Sequence, residues 1–426
     1  MSSKKKTAAA KDDGKPALVP KLRFPEFRDT ERWKERPLGD FLSESRLHGS
    51  KGNVAKKITV KLWGNGVFEK NDAIQGSINT QYFRRKAGQF IYSKLDFLNQ
   101  AFGIIPPSLD NFESTVDLPC FDFADGLNSV FLLEYVKRSD FYERLGETAD
   151  GSRKARRIHA ETFLSFPIAL PSPAEQQKIA ECLSSVDELM AAQARKVDAL
   201  KTHKKGLMQQ LFPREGETHP RLRVPEFQNA GEWESHTLGN VVTISKGKGV
   251  AKADVVENGT TACIRYAELY TRYGEVISDV QSRTNIPVNN LILSEAGDVI
   301  VPASGETKED IATCACVLDA GVALGSDMNV LRSGIDGRFF SYYLNGCKRA
   351  ALAKVAQGDT VAHLYPSQIS KLEIDFPSEL AEQQRIANCL TSLDDLIAAQ
   401  TQKLDALKTH KKGLMQQLFP SPEGMP

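Results

Sequence analysis

The amino-acid sequence predicts an α+β protein of two related halves, each made of a compact mixed domain followed by one long helix. Three observations predict this fold class. A segment of 40 residues occurs twice, 207 positions apart, in a chain of 426 residues. Its apolar residues have the spacing of a long packed helix. The regions between the copies combine strand-like runs with short helical stretches, as separate α+β domains do.

The repeat is strongest between residues 174–213 and 381–420, which share 31 identities in 40 aligned positions. A weaker repeat, at an offset of 200, opens each half: Trp33, Leu38 and Gly39 recur as Trp233, Leu238 and Gly239. We therefore divide the chain into a basic tail expected to be disordered (1–19), a first domain (20–171), a first helix (172–213), a second domain (214–378), a second helix (379–420) and a short tail (421–426). A pseudo-twofold axis is expected to relate the two halves.

Each repeated segment is predicted to be a single helix because its apolar residues alternate at spacings of four and three. The residues expected to pack between the two helices are Ile179, Leu183, Val186, Met190, Val197 and Leu200, with Ile386, Leu390, Leu393, Ile397, Leu404 and Leu407 in the second copy. The same seam is polar in both copies at Gln193 with Gln400 and at Lys204 with Lys411. These polar positions either fix the register of a coiled coil or lie at the solvated edge of a short contact.

Chain connectivity favours antiparallel helices. A helix of this length measures roughly 60 Å, whereas a compact region of about 160 residues has a radius of gyration near 15 Å. The second domain begins where the first helix ends and finishes where the second helix begins. Parallel helices would force that domain to bridge nearly a whole helix length, so antiparallel helices with one domain towards each end are expected.

Local patterns predict the elements inside the variable regions. Strands are predicted at 166–170, 291–293, 298–302, 312–318 and 371–376. Short helical stretches are predicted at 131–145 and 339–355. Ser172 is expected to cap the first long helix, with Glu175 completing a capping box.

Composition and charge restrict the class of protein. Hydrophobic residues make up 41% of the chain and charged residues 26%, which is typical of a globular protein of two or three domains. Residues 1–23 carry a net charge of +5, so the remaining residues carry −4. The sequence contains neither an apolar run long enough to span a membrane nor a secretion signal, and we expect a cytoplasmic protein without membrane contact.

Basic residues form local clusters that are candidates for contact with double-stranded DNA. Arginine pairs with guanine or phosphate, and glycine-rich turns let backbone amides approach a phosphate. The candidates are Arg84, Arg85, Lys86, Arg153, Lys154, Arg156, Arg157, Lys246, Lys248, Arg265 and Arg272. The alternative for each is an ordinary solvated charge.

Sequence signatures of catalysis are missing. The chain has no G-x-x-x-x-G-K-[ST] loop, no G-x-S-x-G elbow and no H-E-x-x-H motif. Its carboxylates are not spaced as metal ligands. The sequence therefore predicts no catalytic residue, no metal site and no cofactor held by this chain.

These residues resemble one known family, the DNA-specificity subunit of type I restriction-modification systems (HsdS). The resemblance covers roughly positions 20 to 420. It rests on the Trp-x4-Leu-Gly openings at Trp33 and Trp233, on the Gln-Gly-Asp-Thr turn from Gln357 to Thr360, and on the Pro-x-x-x-Glu-Gln-Gln-x-Ile-Ala helix start, which occurs in both halves with one residue inserted in the second. The first half differs, reading Asp-Gly-Ser-Arg at 150–153 where the second has the Gly-Asp-Thr turn.

The resemblance implies a function. Such subunits look like two target recognition domains separated by an antiparallel helical spacer, each domain reading one half of a split DNA site. The subunit is not catalytic and resembles an adaptor. It recruits two adenine-N6 methyltransferase subunits, which use S-adenosylmethionine, and two motor-nuclease subunits, which use ATP and Mg. The Gly-Asp-Thr turn adds Gly358 and Thr360 to the candidate DNA contacts.

Three alternatives stay open at this point. A DNA-binding regulator acting alone would have to bind strongly unaided, despite the negative charge of the chain beyond the tail. A coiled-coil scaffold would give no evident reason for the attached domains to diverge while the helices do not. An enzyme would need a motif that the patterns above do not include.

Overall fold

The structure of the protein is a computed structural model that describes residues 18–71, 76–147, 157–358 and 361–421. The chain divides into two compact units. The first unit consists of the residues up to Gln193 together with those from Lys403 onwards. The second unit consists of Ala194–Gln402. Most of the tail predicted at 1–19, namely residues 1–17, lies outside the described residues.

In its described residues, the first unit combines short strands with three short helices and parts of two long ones. Its strands are β1 (Lys34–Pro37), β2 (Leu42–Ser45), β3 (His48–Lys51), β4 (Ile58–Val60), β5 (Val67–Glu69), β6 (Gln81–Arg84), β7 (Phe90–Tyr92), β8 (Phe102–Ile104), β9 (Glu113–Ser114), β10 (Cys120–Phe123) and β11 (Pro167–Leu170). Its helices are α1 (Ser129–Val136), α2 (Ser139–Gly146), α3 (Ala160–Ser165) and the first part of α4 (Pro173–Leu211). Single 3-10 turns lie at Pro25–Phe27, Leu38–Asp40, Phe97–Asn99 and Pro107–Leu109.

Antiparallel pairs build the sheets of the first unit. One sheet has the order β2-β10-β7-β8, a second has β3-β6-β9, and β4 with β5 forms a hairpin. Strand β1 pairs with β11, directly before α4. The core is rich in aromatic rings, with Phe90 and Phe163 stacked at 5.5 Å, and it includes Ile179 and Leu183 of α4.

The second unit begins with the last turns of α4 and ends within the second long helix. Its strands are β12 (Glu234–Thr237), β13 (Val242–Lys246), β14 (Val255–Val256), β15 (Thr261–Ile264), β16 (Val276–Ile277), β17 (Ser282–Thr284), β18 (Asp298–Pro302), β19 (Ser304–Gly305), β20 (Ala315–Val317), β21 (Ala323–Leu324), β22 (Met328–Ser333), β23 (Ala362–His363) and β24 (Glu373–Phe376). Its helices are α5 (Leu238–Val241), α6 (Glu268–Thr271), α7 (Lys308–Ile311), α8 (Gly337–Tyr343), α9 (Arg349–Val355), α10 (Pro366–Ile369) and α11 (Leu380–Leu418). Single 3-10 turns lie at Pro225–Phe227, Lys252–Asp254 and Val288–Asn290, and a π-helical turn at Leu344–Lys348 joins α8 to α9.

A mixed five-stranded sheet, β13-β22-β18-β20-β16, forms the centre of the second unit. Strand β16 is parallel to β20, and the other pairs are antiparallel. A four-stranded sheet, β14-β17-β15-β21, adds a second layer, β19 pairs with β23, and β12 pairs with β24 directly before α11. The mixture of helices and sheets confirms the predicted α+β class.

Most predicted elements are present. Helices cover 131–145 as α1 and α2, and 339–355 as α8, the π-helical turn and α9. The prediction of a strand at 291–293 is wrong, because Leu293 alone pairs there, in one isolated bridge with Ala323. The preceding 3-10 turn and the side chain of Ser294, which binds the carbonyl of Asp319 and the amide of Val322, leave no room for a longer ladder.

The two long helices begin and end where the repeat predicted, within two residues. Every residue predicted to pack between them is buried or half-buried. In the first unit, Ile179 and Leu183 share a core with Leu418 of α11. In the second unit, Ile386 and Leu390 share a core with Leu211 of α4. These positions therefore lie on the less exposed faces of the two helices, and their packing as one continuous seam stays a prediction.

At the start of α4, one half of the predicted capping box is present and the other half is replaced by different contacts. Ser172 does cap the helix, because its hydroxyl accepts the amide N–H of Glu175 at 3.3 Å. The carboxylate of Glu175 does not return to Ser172. It is buried, accepts two hydrogen bonds from Arg23 at 2.7 and 2.8 Å, and accepts one from the indole of Trp33 at 3.3 Å. The opening segment of the domain is thereby attached to its helix.

The second unit repeats this attachment. Arg223 donates two hydrogen bonds to the buried carboxylate of Glu382, at 2.8 and 2.7 Å. The hydrogen bond with Glu382 raises the pKa of Arg223 above its ordinary value, although burial opposes the shift. Arg23 and Arg223 occupy equivalent positions of the weak repeat, and Glu175 and Glu382 occupy equivalent positions of the strong one. The paired Arg–Glu contact is therefore a common element of both halves.

The first glutamine of each Glu-Gln-Gln motif is also buried and used structurally. Gln176 accepts the amide of Asn128, the residue that caps α1, at 3.0 Å. Gln383 accepts the amide of Asp336, the residue that caps α8, at 2.8 Å. Each motif therefore ties the beginning of a long helix to the beginning of a helix in the neighbouring domain.

The two lysines of the polar seam form matching ion pairs, each within its own unit. Lys411 lies 2.7 Å from Asp187 and 2.9 Å from Glu134. Lys204 lies 2.7 Å from Asp394 and 2.9 Å from Glu275. The lysine side chains are 13% and 12% exposed, so these are not solvated charges at the edge of a contact.

Candidate nucleic-acid interface

The Ser-Lys-Gly-Lys-Gly turn after β13 is held against the loop before β22. The amide of Gly247 donates to the carbonyl of Met328 at 3.0 Å, and the amide of Lys248 donates to Leu324 at 2.8 Å. A Cβ at Gly247 would lie 2.1 Å from the carbonyl oxygen of Gly325. Only glycine allows this close approach, and the turn consequently presents Lys246 and Lys248 from a fixed backbone.

Replacing Gly247 by alanine is expected to destabilise the second unit by about 2 kcal/mol, because the added methyl group cannot avoid backbone atoms. Urea unfolding of the full chain measures the change. Gly334→Ala is the matched control, because its Cβ would meet open space. Equal unfolding midpoints for the two variants would contradict the steric argument.

The turn at Gln357-Gly358 is also built on a glycine. Gln357 and His363 exchange backbone hydrogen bonds at 2.9 and 2.7 Å. Gly358 has a φ of +100°, and a Cβ there would lie 2.2 Å from the carbonyl oxygen of Val361. Thr360, the other residue predicted from this turn, lies outside the described residues.

Aromatic side chains bring these two predicted sites together. The ammonium group of Lys246 lies 5.7 Å from the ring centroid of Tyr365, a cation–π distance. The rings of His363 and Tyr365 are stacked at 6.1 Å, and Tyr365 is 44% exposed. The Lys246 turn and the Gly358 turn thus contribute to one surface, which we call the Lys246–Tyr365 surface. It offers a cation for phosphate and one exposed ring, that of Tyr365, for bases.

Sequence reasoning missed His363 and Tyr365. The available signal was two aromatic residues, two positions apart, that begin three residues after the Gly-Asp-Thr turn ends. Residues at that spacing in an extended segment point to the same side. Neither residue is part of a motif that we had singled out.

Arg265 and Arg272 face a buried carboxylate. Both guanidinium groups approach Glu268, at 3.7 and 3.3 Å, and Arg272 also contacts the hydroxyl of Ser282 at 3.2 Å. Glu268 is 3% exposed, so its charge needs these partners. DNA contact by Arg265 and Arg272 stays a prediction, and each already has a partner within the unit.

The prediction of DNA contact for Arg85 is wrong. Arg85 is 2% exposed, and burial lowers the pKa of its guanidinium group. Its side chain donates to the hydroxyl of Ser114 at 2.8 Å and to the carbonyls of Ser45 and Leu118 at 2.7 and 3.1 Å. It therefore joins three segments of the first unit from within. The neighbouring Arg84 is exposed, and the alternation of the strand explains why the two side chains separate.

The remaining candidates of the first unit are exposed or lie outside the described residues. Lys86 is exposed, and Arg157 is 46% exposed with its guanidinium group 4.0 Å from Asp117. Arg153, Lys154 and Arg156 lie outside the described residues.

A cleft of about 910 Å³ lies in the second unit, against the last turns of α4. Lys201, Lys205, Tyr270, Tyr273 and Arg349 line it, and none of the predicted DNA contacts does. Within the described ranges, no three His, Cys, Asp or Glu side chains are grouped to hold a metal ion. Each helix in those ranges is too short or too polar to cross a membrane.

Comparisons with known proteins agree with the sequence resemblance. The model of the family "Type I restriction modification DNA specificity domain" matches residues 230–409. The chain is 25% identical, over 277 residues, to the type I restriction enzyme MjaVIII specificity subunit of Methanocaldococcus jannaschii, a match that covers 62% of this chain and 63% of that subunit. The chain spans less than two thirds of the length of the curated relatives that it matches.

Two solved structures share the fold. The S subunit of a type I restriction-modification system from M. genitalium superimposes with a TM-score of 0.56 and 15% identity, covering 96% of this chain and all of that one. A chain from work on the complex assembly and conformational transition of a type I restriction-modification system gives 0.55 and 16%, covering 92% and 98%. Residues 230–409 thus match the DNA specificity domain of type I restriction-modification systems, and the chain as a whole is similar in sequence and in fold to specificity subunits of such systems.

Proposed function

We propose that this chain is the non-catalytic DNA-recognition subunit of a type I restriction-modification complex. Each unit reads one half of a bipartite site in double-stranded DNA, and the two long helices form an antiparallel spacer between the two target recognition domains. Adenine-N6 methyltransferase subunits with S-adenosylmethionine, and motor-nuclease subunits with ATP and Mg²⁺, perform the chemistry. Two subunits of each kind fit the twofold repeat of the chain.

The observation that carries this proposal is the duplicated attachment of a different domain to the same helix start. Arg23 with Glu175 and Arg223 with Glu382 are the same contact, yet the sheets that follow differ in strand number and order. A constant attachment with a variable domain is what independent reading of two half-sites requires. The Lys246–Tyr365 surface supplies chemistry suited to DNA in the second unit.

The antiparallel spacer is supported by the seam ion pairs. Lys411 meets Asp187, and Lys204 meets Asp394, so residues later in one helix pair with residues earlier in the other. Lys204 and Lys411 are equivalent in the repeat, and so are Asp187 and Asp394.

Mapping methylated adenines tests the function. The full chain is expressed with its methyltransferase subunits in cells that lack other adenine methylation, and the genome is sequenced for N6-methyladenine. We expect a split, asymmetric motif that disappears when this chain is omitted. Methylation that persists without the chain would contradict the proposal. Strong sequence-specific binding by the chain alone, with no gain from the partner, would favour a regulator.

The spacer predicts the gap between the half-sites. Inserting four residues into each helix, after Gln193 and after Gln400, lengthens the spacer by about 6 Å, at most about two base-pair steps of roughly 3.4 Å. We expect methylation maps to show a wider gap and unchanged half-sequences. The control replaces four exposed residues in the same turns without changing the length. Altered half-sequences with an unchanged gap would contradict the spacer.

A further inference from the structure

We propose that Trp63 is a DNA-contacting residue of the first unit, whose indole ring stacks on, or wedges between, bases of the half-site. This inference rests on the proposed function and adds a residue that determines specificity to it. Trp63 lies in the loop of the β4–β5 hairpin, apart from every basic cluster considered above. Four features of the hairpin carry the argument: exposure, backbone conformation, rigidity and charge.

Trp63 differs from the other tryptophans in exposure. Its side chain is 61% exposed, whereas Trp33 and Trp233 are 3% and 2% exposed. Among the described residues, no hydrogen bond engages its indole N–H. Phe68, on the second strand of the same hairpin, is 50% exposed. Exposed apolar side chains that are grouped on one element, rather than scattered singly, are candidates for a binding surface.

The backbone holds Trp63 in a conformation that its side chain disfavours. Its φ is +59°, in the left-handed region where glycine is normally found. Two glycines follow closely, Gly64 with a φ of +68° and Gly66 with +87°. If this surface position had no other role, a third glycine would adopt the same φ without strain. Disfavoured backbone conformations concentrate at binding sites, where a particular side chain is required.

Hydrogen bonds hold the loop in place. The amide of Trp63 donates to the carbonyl of Asn99 at 2.7 Å, and the amide of Gly64 donates to Gln100 at 2.9 Å. Within the loop, the side chain of Asn65 donates to the carbonyl of Leu62 at 2.8 Å. The backbone is thus fixed before any ligand arrives, so binding would order little besides the ring itself.

Charge identifies the ligand as nucleic acid. Residues 56–70 contain four lysines and one glutamate, a net charge of +3, although the chain beyond the basic tail is negative overall. Lys56 and Lys61 are exposed on either side of the first strand. Exposed cations suit phosphates, and the exposed ring of Trp63, two residues after Lys61, suits a base step. A hydrophobic protein partner would not require the lysines.

Fluorescence of the assembled complex tests the proposal. The full chain, with its methyltransferase subunits, is mixed with DNA that the wild-type complex itself has enriched from a randomised duplex pool. The difference between the wild-type and Trp63→Phe complexes reports the signal of residue 63 alone. We expect DNA to protect this signal from acrylamide quenching.

Affinity provides a second readout. Trp63→Gly removes the ring and suits the left-handed backbone, so the variant is expected to fold at least as well as the wild type. Its affinity for the enriched DNA is expected to fall about tenfold or more, the range for loss of a stacked base. Val116→Ala, which trims another exposed apolar side chain of the first unit, is the matched control and should bind as the wild type does.

Each outcome decides between the two proposals. If the wild-type complex enriches no DNA, the proposed function fails. If it enriches DNA, but Trp63→Gly binds equally well and the indole stays open to acrylamide, the function stands and this inference is overturned. Protection by the methyltransferase subunits without DNA would also overturn it, because the hairpin would then be a protein interface.

Discussion

Glu382→Ala is expected to destabilise the second unit by about 3 kcal/mol, because it leaves the guanidinium group of Arg223 without its anionic partner in a site closed to water. Glu382 is fully buried, and the side chain of Arg223 is 9% exposed. The pair connects the opening segment of the domain to the first turn of α11. Urea unfolding, followed by fluorescence of Trp233 in a Trp33→Phe, Trp63→Phe background, measures the change.

The chain contains a matched control for this pair. Arg385 and Glu226 join the same two segments at 3.5 Å, but their side chains are 60% and 55% exposed. Solvated pairs contribute little, so Glu226→Gln should leave the unfolding midpoint nearly unchanged. The double variant Arg223→Met with Glu382→Met should recover much of the loss, because it leaves no unpaired charge. Equal effects of Glu382→Ala and Glu226→Gln would refute the structural role of the buried pair.

Lys411→Glu is expected to disrupt the first unit by at least about 3 kcal/mol, because it places a third carboxylate beside those of Glu134 and Asp187. Burial alone lowers the pKa of Lys411, but these carboxylates outweigh burial and raise it. The pKa of Glu134 shifts in the opposite sense. Burial raises it, but Lys137 and Lys411 outweigh burial, and the pKa lies below its ordinary value. Lys411 and Glu134 are therefore charged at neutral pH, and thermal unfolding at that pH measures the loss.

A neighbouring lysine separates a specific ion pair from a general charge effect. Lys408 lies one turn before Lys411 on the same helix, with a 55% exposed side chain paired to Asp405. Lys408→Glu should change stability little. The exchange Lys411→Glu with Asp187→Lys should restore part of the lost stability by reversing the pair. If the exchange were no better than the single variant, the contact between α4 and α11 would not be specified by these charges.

Much of the fold could be predicted because repeats and periodicity are local signals. The bounds of α4 and α11 followed from the spacing of residues such as Ile179, Leu183 and Leu390. The strands before each helix followed from apolar runs. The resemblance to the specificity-subunit family, read from motifs that recur in both halves, is confirmed. The order of strands in the sheets could not be predicted, because it depends on contacts between distant residues.

The candidate nucleic-acid interface was less predictable than the helices, because it too depends on which distant residues meet in the folded chain. Arg84 and Arg85 look equivalent in sequence, but adjacent residues in a strand face opposite sides, and only Arg84 reaches the surface. Lys246 and Tyr365 are far apart in the chain and meet only in the folded unit. Glu175 fits a capping box by spacing, but Arg23, distant in sequence, provides a stronger partner than the local amide.

The position of the Arg–Glu contacts has a consequence for how new specificities can arise. Arg23 precedes almost the whole first domain and Glu175 follows it, and Arg223 and Glu382 enclose the second domain in the same way. A recombination event that replaced only the enclosed segment would retain both ends of the attachment. Such a hybrid would inherit an unfamiliar DNA preference in one half while its joint to the helices remained unchanged.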